Sequence, residues 1–469
     1  MHRIGIRRED KNPFERRAPL APHDVTTLVA QHQIPLTFQP GRGHRVFADA
    51  DYLQAGARLD EDLSACPVVM GVKEIPPELL APNRTYVFFS HTIKGQPYNM
   101  PLLRRLIELG CTLVDYELIV DEAGRRLVFF GRHAGLAGMI DTLWALGQRL
   151  AQVEGIETPL AALRQAHGYA SLQQARLAIA EAGRELRRQA PAVLSPLVAG
   201  FAGYGNVSIG AQEIYDLLEP EELTPDQLAD VDPCAPGCYK VVFREEHMVQ
   251  PCARDVHGEP FELQHYYDNP EAYRTVFARR YLERLTLLVN CIYWEERYPR
   301  LVTIADLERL YGSGPFGPDP PTPPARSWKA TGAGQRMATR QPGGGPPRLR
   351  VIGDISCDVS GSIEATLKAT HPDRPVYVYD LDRREAIDGV AGRGPVILAV
   401  DNLPAELPHD ATESFSGSLA PLMPGLAAAN LEAATLEQSE LPEPLRRAVI
   451  VFRGQLTSNY EYLKDHLGQ

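Results

Sequence analysis

The run SPLVAGFAGYGNVSIGAQEIYDLLE, residues 195–219, contains a buried-strand pattern, a turn with two glycines and a helical pattern in direct succession. SPLVAGFA has the length and composition of a buried strand, and AQEIYDLLE carries apolar residues at helical spacing. Gly203 and Gly205 would allow a tight turn and a close approach of the backbone to a phosphate. The run therefore predicts the strand, loop and helix that open a dinucleotide-binding unit.

Five residues of this turn are expected to contact the cofactor: Gly203, Gly205, Asn206, Val207 and Ser208. Ser208 stands where the fingerprint has its third glycine, and serine is still small enough for close packing of strand and helix. The free N–H groups at the start of the helix suit a pyrophosphate. An ordinary tight turn is the alternative, but the flanking strand and helix favour the cofactor.

About twenty residues after the turn, NAD enzymes carry an acid for the ribose, and here the sequence reads Leu223-Thr224-Pro225-Asp226. A strand that ends at Thr224 would present a hydroxyl and no charge. This pattern favours NADP, because an acid would repel the 2′-phosphate. A small change in register would bring Glu222 or Asp226 to the same position, so NAD is the alternative cofactor.

The residues ahead of this unit also alternate between strand and helix patterns. The strand patterns are RIGIRRE, PLTFQP, VVMGVK, YVFFS and TLVDYE, and the helical ones between them are DVTTLVAQHQ and MPLLRRLIELG. Strands separated by helices form parallel sheets covered by helices. We therefore predict an α/β protein with two Rossmann-like parallel-sheet domains.

Three titratable residues stand at strand ends: Lys73 ends VVMGVK, His91 follows YVFFS and Glu117 ends TLVDYE. The carboxyl ends of parallel strands share one edge of the sheet, so these side chains can converge. A lysine, a histidine and a carboxylate within reach of one another can transfer protons at neutral pH. A solvated lysine, a packed histidine and a capping glutamate are the alternatives for each residue taken singly.

Further positive charge is expected near this edge from Lys94 and Arg126, and Arg17 stands ahead of the first helix, where its guanidinium could bind a carboxylate. Each could equally be a surface charge. Together these patterns indicate a nicotinamide-linked enzyme that acts on an anionic substrate.

Composition limits the class of protein. A chain of 469 residues predicts two or three domains, and the net charge of −12 argues against nucleic acid or an anionic membrane as partner. Cys234 and Cys238 have no second ligand pair, so we expect reduced thiols and no metal. The N-terminus lacks a signal-peptide pattern and no apolar run could span a membrane, so we expect a cytoplasmic protein. The Pro/Gly-rich residues 313–348 predict a flexible loop.

Several of these runs resemble one known family, nearly from end to end. FFSHTIKGQPYNM, GRRLVFFGRHAGLAGMI, GYGNVSIGAQ, VNCIYWE, GDISCDVSGSIE and DNLPAELP, with RREDKNPFERRAPLAP and GVKEIPPE, resemble the lysine-ketoglutarate reductase half of the bifunctional aminoadipic semialdehyde synthases. The chain is more distantly similar to the lysine-forming saccharopine dehydrogenases of fungi, and to alanine dehydrogenase and the N-terminal region of transhydrogenase.

The resemblance implies a reductase of lysine degradation, in which lysine condenses with 2-oxoglutarate and NADPH reduces the imine to saccharopine. It implies that Lys73 and His91 are the acid–base pair and that a further set of residues binds the substrate: Arg17, Lys94, Glu117, Arg126, Phe130 and Asp354. Asn290, in VNCIYWE, is assigned to the cofactor. A separate polypeptide would then oxidise saccharopine.

The resemblance also implies that the first domain is discontinuous. We expect a substrate and catalytic domain in residues 1–132, completed by 355–469. The nicotinamide domain would comprise 133–312 and 349–354, with the active-site cleft between the two domains.

Three other functions compete with this one. The nearest is an NAD-dependent, lysine-forming saccharopine dehydrogenase of the same fold. A non-catalytic dinucleotide-binding or redox-sensing module is the second, and Lys73 and His91 argue against it. A transhydrogenase subunit is the third, and it is disfavoured because no membrane segment follows.

Overall fold

The computed structural model describes residues 1–189, 194, 196–252, 261–312 and 347–468. The chain divides into two units, of which the first comprises Met1–Phe130 and Leu407–Gln469 and the second Gly131–Glu406. The first unit is therefore discontinuous, as expected, but the chain returns to it at residue 407 and not at residue 355. Most of the predicted loop, residues 313–346, lies outside the described residues.

The strands are, in chain order, β1 Ile4–Ile6, β2 Leu36–Phe38, β3 Arg58–Leu59, β4 Val68–Met70, β5 Thr85–Phe88, β6 Thr112–Asp115, β7 Leu197–Ala202, β8 Glu221–Leu223, β9 Cys238–Phe243, β10 Val249–Pro251, β11 Tyr273–Thr275, β12 Leu287–Asn290, β13 Val351–Asp354, β14 Val376–Asp380, β15 Glu385–Asp388, β16 Val396–Leu398, β17 Val449–Phe452 and β18 Gln455–Leu456. All the strands predicted before residue 120 are present, but each ends before the polar residues that close its predicted run.

The α-helices are α1 Pro22–Ala30, α2 Asp49–Gln54, α3 Met100–Glu108, α4 Gly131–Arg149, α5 Leu172–Gln189, α6 Asn206–Tyr215, α7 Glu245–Met248, α8 Leu263–Asp268, α9 Phe277–Arg280, α10 Ile304–Tyr311, α11 Pro408–Leu419, α12 Met423–Ala428, α13 Glu443–Arg447 and α14 Lys464–Leu467. Within the described ranges, none of these helices is long and apolar enough to cross a membrane.

The first unit contains an eight-stranded sheet with the order β18-β17-β6-β5-β4-β1-β2-β3. Strands β1 to β6 are parallel, and β17 and β18 extend the sheet as antiparallel strands. The order reverses between β1 and β4, which is where ligands bind in open α/β sheets, at the carboxyl ends of the strands. The loops after β1, β4, β5 and β6 all meet this edge.

The second unit contains an eight-stranded sheet with the order β8-β9-β7-β12-β13-β16-β14-β15. Six strands are parallel, and β14 and β15 are antiparallel additions at one edge. Strands β14, β15 and β16 all lie beyond residue 355, so hydrogen bonds along this sheet keep residues 355–406 in the second unit. The predicted α/β class with two parallel-dominated sheets is confirmed.

Burial on both faces explains why the central strands read as unbroken apolar runs. Every residue of β4, β5, β7 and β12 is buried. The polar residues that follow these strands therefore stand at the rim of a solid apolar layer. Such a rim can hold side chains in fixed positions.

Helix α6, which follows the glycine turn, is held against α4 by backbone contact. A Cβ atom on Gly135 of α4 would lie 1.9 Å from the carbonyl oxygen of Val207, and one on Gly210 of α6 would lie 2.1 Å from that of Arg132. Only glycine permits this approach of the two helices. The position of the turn relative to the sheet is thus fixed by packing within the second unit.

Candidate functional site

Lys73 lies in the loop after β4, at the carboxyl edge of the first sheet. The backbone N–H groups of Val72 and Lys73 donate to the buried carboxylate of Glu9, at 2.7 and 3.0 Å, so the loop after β1 fixes the loop after β4. Burial is the main cause that lowers the pKa of the Lys73 amine, and the nearby positive charge of Arg17 lowers it further. A lysine in this environment has a larger neutral fraction near pH 7 and can accept a proton.

His91 follows β5 and is joined to the Lys73 loop through Glu74. The Nδ1 atom of His91 lies 3.4 Å from Oε1 of Glu74, and Nζ of Lys11 lies 2.6 Å from the same oxygen. Burial alone would raise the pKa of Glu74, but the hydrogen bond with His91 and the contact with Lys11 lower it to about 2. Glu74 is therefore ionised at neutral pH and orients the imidazole of His91.

The backbone holds His91 in an unusual conformation. Its φ angle is 52°, in the left-handed region, and its carbonyl oxygen accepts a hydrogen bond from Nδ2 of Asn99 at 2.7 Å. The preceding Ser90 donates its N–H to Oδ2 of Asp115 at 2.9 Å, while Oδ1 of Asp115 accepts the N–H of Glu117 at 2.8 Å. Asp115 thus connects the loops after β5 and β6.

Arg17 and Phe130, two of the residues that the resemblance assigns to the substrate, contact each other. The guanidinium of Arg17 is 4.2 Å from the centre of the Phe130 ring, and Phe130 stacks on Phe415 at 4.5 Å. Arg17 is also paired with the buried carboxylate of Glu15, through Nε at 2.8 Å and Nη2 at 2.5 Å. The positive charge that we predicted here is therefore compensated by an acid of the same loop.

Glu9 adds a group that titrates close to neutral pH. Burial and the neighbouring charge of Glu15 raise the pKa of Glu9 to about 7. We did not single out Glu9, Glu15, Lys11 or Glu74 from the sequence. The signal available in the sequence is the density of charges directly after the buried strand β1, in RREDKNPFERR.

The remaining residues predicted in the first unit lie in the segments that follow β5 and β6. Glu117 is in the turn after β6 and forms an ion pair with Arg126, whose side chain is 50% exposed. Lys94 is exposed in the loop after β5. The structure joins Lys73, Glu74 and His91 in one cluster and pairs Glu117 with Arg126 beside it.

The glycine turn of the second unit has the predicted form. Gly203 follows β7 with a φ angle of 96°, and Gly205 precedes α6, whose first residues are Asn206, Val207 and the fully buried Ser208. A Cβ atom on Gly203 would lie 3.1 Å from the side chain of Ile292, whereas one on Gly205 would meet nothing within 4 Å. The turn itself requires Gly203, and the open space at Gly205 fits a pyrophosphate against the helix start.

Asn290 and Asp354 stand side by side where β12 and β13 end. The Nδ2 atom of Asn290 donates to Oδ1 of Asp354 at 2.8 Å, and the Asp354 carboxylate also accepts from Ser356 at 2.8 Å and Thr366 at 2.5 Å. Burial raises the pKa of Asp354. In the described part of the chain, the buried Oδ1 of Asn290 has no hydrogen-bond partner, so this acceptor can be satisfied by a bound group.

The predicted position of Thr224 needs correction. Strand β8 ends at Leu223 and is the edge strand, and β9 lies between it and β7. Thr224 therefore follows a strand one place too far from the glycine turn, and its hydroxyl bonds to Gln227 at 3.1 Å. The strand next to β7 ends at Phe243, so Arg244, and not Thr224, follows the strand adjacent to the turn. Because β8 comes between α6 and β9 in the chain, the residue about twenty positions after the glycine turn does not end the strand next to β7.

Two parallel-dominated sheets, with a glycine turn after the first strand of the second, define a two-unit dinucleotide-binding fold. Residues 5–137 match the family model of the alanine dehydrogenase/PNT N-terminal domain. An L-alanine dehydrogenase structure matches with a TM-score of 0.59 at 17% identity, covering 99% of both chains. The transhydrogenase from Sinorhizobium meliloti matches with a TM-score of 0.54 at 13% identity, covering 97% of this chain and all of that one.

Over 98% of its length the chain is 37% identical to the mitochondrial alpha-aminoadipic semialdehyde synthase of Bos taurus and 34% identical to the alpha-aminoadipic semialdehyde synthase of Arabidopsis thaliana. It spans less than half of these relatives, 47% and 41% of their lengths. It is also 25% identical to a saccharopine dehydrogenase [NAD(+), L-lysine-forming] of Neurospora crassa, covering 89% of both chains. The resemblance found in the sequence is confirmed.

Proposed function

We propose that this protein is an NADPH-dependent reductase that condenses lysine with 2-oxoglutarate and reduces the resulting imine to saccharopine, as a step of lysine degradation. The observation that carries the proposal is the cluster at the carboxyl edge of the first sheet, where a half-buried Lys73 with a lowered pKa adjoins the Glu74–His91 pair. Similarity to the semialdehyde synthases along 98% of the chain supports the same reaction.

In this proposal Lys73 and His91 transfer the protons of the reaction. Lysine must lose a proton from its ε-ammonium before the amine can attack the keto carbon, and the neutral Lys73 amine accepts it. His91, oriented by the ionised Glu74, donates the proton that lets the carbinolamine oxygen leave as water. When bound, NADPH supplies the hydride that reduces the imine carbon.

The charged side chains beside this cluster bind the substrates. 2-Oxoglutarate carries two carboxylates, and the exposed Lys94 and Arg126 provide cations for them. The Arg126–Glu117 pair presents both signs of charge, which suits the carboxylate and amine of an amino acid. Arg17 and Phe130, which contact each other, line the substrate site, and the charge of Arg17 is balanced by Glu15.

The second unit holds the dinucleotide in this proposal. The turn residues Gly203, Gly205, Asn206, Val207 and Ser208 bind its pyrophosphate. The Oδ1 of Asn290, which has no partner among the described residues, accepts a hydrogen bond from a donor group of the dinucleotide. Asp354 is expected to contact the substrate. Its carboxylate accepts a hydrogen bond from Asn290, so it also holds the Asn290 side chain in place at the ends of β12 and β13. A catalytic cleft between the two units stays a prediction.

The proposal is tested by following the loss of NADPH absorbance with lysine and 2-oxoglutarate together and with each omitted in turn. We expect turnover only when both are present, with saccharopine as the product. Turnover with 2-oxoglutarate and ammonia but without lysine would refute the proposed substrate.

The similarity to the NAD-dependent enzyme of Neurospora crassa favours one second candidate, a lysine-forming saccharopine dehydrogenase. The same assay separates the two when it is run with NADH, and in reverse with saccharopine and NAD⁺. Binding of a dinucleotide without turnover in either direction would instead indicate a sensor.

A further inference from the structure

Arg244 follows the strand that lies next to the glycine turn. Ala202 of β7 is paired with Phe243 of β9, and the N–H of Gly203 donates to the carbonyl oxygen of Phe243 at 2.9 Å. The end of β9 is thus hydrogen-bonded to the start of the turn. In dinucleotide-binding units, the residue at the end of this adjacent strand meets the ribose of the adenosine half.

The Arg244 side chain is placed by an aromatic ring of the turn. Its guanidinium lies 4.5 Å from the centre of the Tyr204 ring, and Tyr204 stands between Gly203 and Gly205. Tyr204 is 39% exposed, so one face of the pair is open to a ligand. A guanidinium stacked on a ring keeps its N–H groups in one plane and loses less entropy when it binds an anion.

The charge of Arg244 is available to a ligand. Arg244 is exposed, and the ion pairs formed among the described residues do not include it. The adjacent acid, Glu245, is held by two tyrosines: its Oε1 accepts a hydrogen bond from the hydroxyl of Tyr267 at 2.8 Å, and its carboxylate is also hydrogen-bonded to Tyr204. An acid free to bind the ribose diol would favour NAD, whereas a free guanidinium here favours a ribose phosphate.

We infer that Arg244, supported by Tyr204, binds the phosphate on the ribose 2′-oxygen and is the residue that selects NADP over NAD. The inference rests on the proposed assignment of the second unit to the dinucleotide. Arg244, which follows the strand adjoining the turn, thus takes the role that the sequence predicted for Thr224. The anion that it binds is a phosphomonoester on an adenosine ribose.

The test is equilibrium binding of two probes that differ only in this phosphate, adenosine 2′,5′-bisphosphate and adenosine 5′-monophosphate, measured by calorimetry. We expect the wild-type chain to bind the bisphosphate at least tenfold more tightly. Arg244→Ala should reduce that ratio by roughly 10- to 100-fold, the effect of losing hydrogen bonds to a charged group, with 5′-monophosphate binding nearly unchanged. Arg244→Lys should keep part of the preference.

Arg274→Ala removes another exposed arginine, on β11, and is the matched control, for which we expect the wild-type ratio. Equal binding of the two probes by the wild type, or an unchanged ratio in Arg244→Ala, would overturn the inference. The probes need no turnover, so a chain that prefers the bisphosphate but leaves lysine unconsumed would refute the proposed reaction and retain the role of Arg244.

Discussion

Lys73 is the residue on which the proposed chemistry depends most directly. Lys73→Met keeps the length and the apolar stem of the side chain but removes the group that accepts a proton. General acid–base catalysis contributes about 10²- to 10⁴-fold, so kcat should fall by roughly that factor while the Kd for NADPH is unchanged. Lys464→Met, at an exposed lysine of the same unit, is the control and should keep full activity. A loss of less than about threefold in Lys73→Met would remove Lys73 from the mechanism.

His91 should shape the dependence of the rate on pH, because it is the proposed proton donor of the reaction. His91→Asn is the suitable variant, since asparagine tolerates the left-handed backbone found at this position. We expect a lower kcat and the loss of one limb of the pH–rate profile. The exposed His32→Asn serves as control. If both limbs persist unshifted in His91→Asn, His91 has a structural role only.

At this scale, the sequence allowed prediction of the residues that follow strands, because strand ends share an edge. Lys73 and His91 were found in this way, and the structure joins them through Glu74. The buried acids Glu9 and Glu15 could not be found by the same reasoning. Their carboxylates are stabilised by backbone N–H groups and by Arg17, and these partners become neighbours only when the loops fold.

Among the elements, the turn before α6 contains two glycines that are needed for different reasons. Gly203 is needed for the backbone conformation, and Gly205 is needed for the space that a ligand would occupy. Gly203 has a positive φ angle and a close neighbour, whereas Gly205 has an ordinary φ angle of −77° and open space beside it. Gly205→Ala should therefore leave the melting temperature within about a degree. A methyl group would occupy the space proposed for the pyrophosphate, so the Kd for NADPH should rise roughly tenfold or more.

The matched control for this turn is Gly417→Ala, a glycine of α11 that also has open space beside its Cβ position. It should leave the Kd unchanged, and alanine should raise stability slightly in a helix. Unchanged NADPH binding in Gly205→Ala, measured by fluorescence titration, would show that the pyrophosphate does not lie against this turn.

The order of the strands is the property of the elements that sequence reasoning could not supply. Local patterns predicted β7 and α6 because each element carries its own periodicity. Whether β8 or β9 pairs with β7 depends on hydrogen bonds between segments far apart in the chain, which leave no local pattern. The displacement of Thr224 from the turn is the direct consequence.

For the whole molecule, the division into two units was predicted in outline and misplaced in detail. The expected return of the chain at residue 355 followed from the substrate contact that the resemblance implied for Asp354. The return at residue 407 instead follows from β16, which pairs with β13 and keeps the intervening residues in the second sheet. A boundary of this kind is decided by the extent of a sheet, which depends on long-range pairing.

Stability as a function of pH should report on a buried acid pair in the second unit. Oδ1 of Asp141 in α4 accepts the N–H of Ala166 at 2.7 Å, and Oε2 of Glu406 lies 3.2 Å from Nδ1 of His167. The two carboxyl groups interact with each other, and their other oxygens are buried with no further hydrogen-bond partner among the described residues. Burial raises the pKa of Glu406 from 4.5 to about 7, and burial together with the charge of Glu406 raises that of Asp141.

Glu406 holds its proton more tightly in the folded chain than in the unfolded one. Its contribution to the free energy of unfolding is therefore fully present below pH 4.5. That contribution is lost as the pH rises through about 7. We therefore expect the free energy of unfolding of this unit to fall by on the order of 3 kcal/mol between pH 5 and 8. Glu406→Gln, which cannot ionise, should flatten this part of the profile, whereas the exposed Glu432→Gln should reproduce the wild-type curve. Calorimetric melting across the pH range is the measurement, and an equally steep decline in Glu406→Gln would show that other groups cause it.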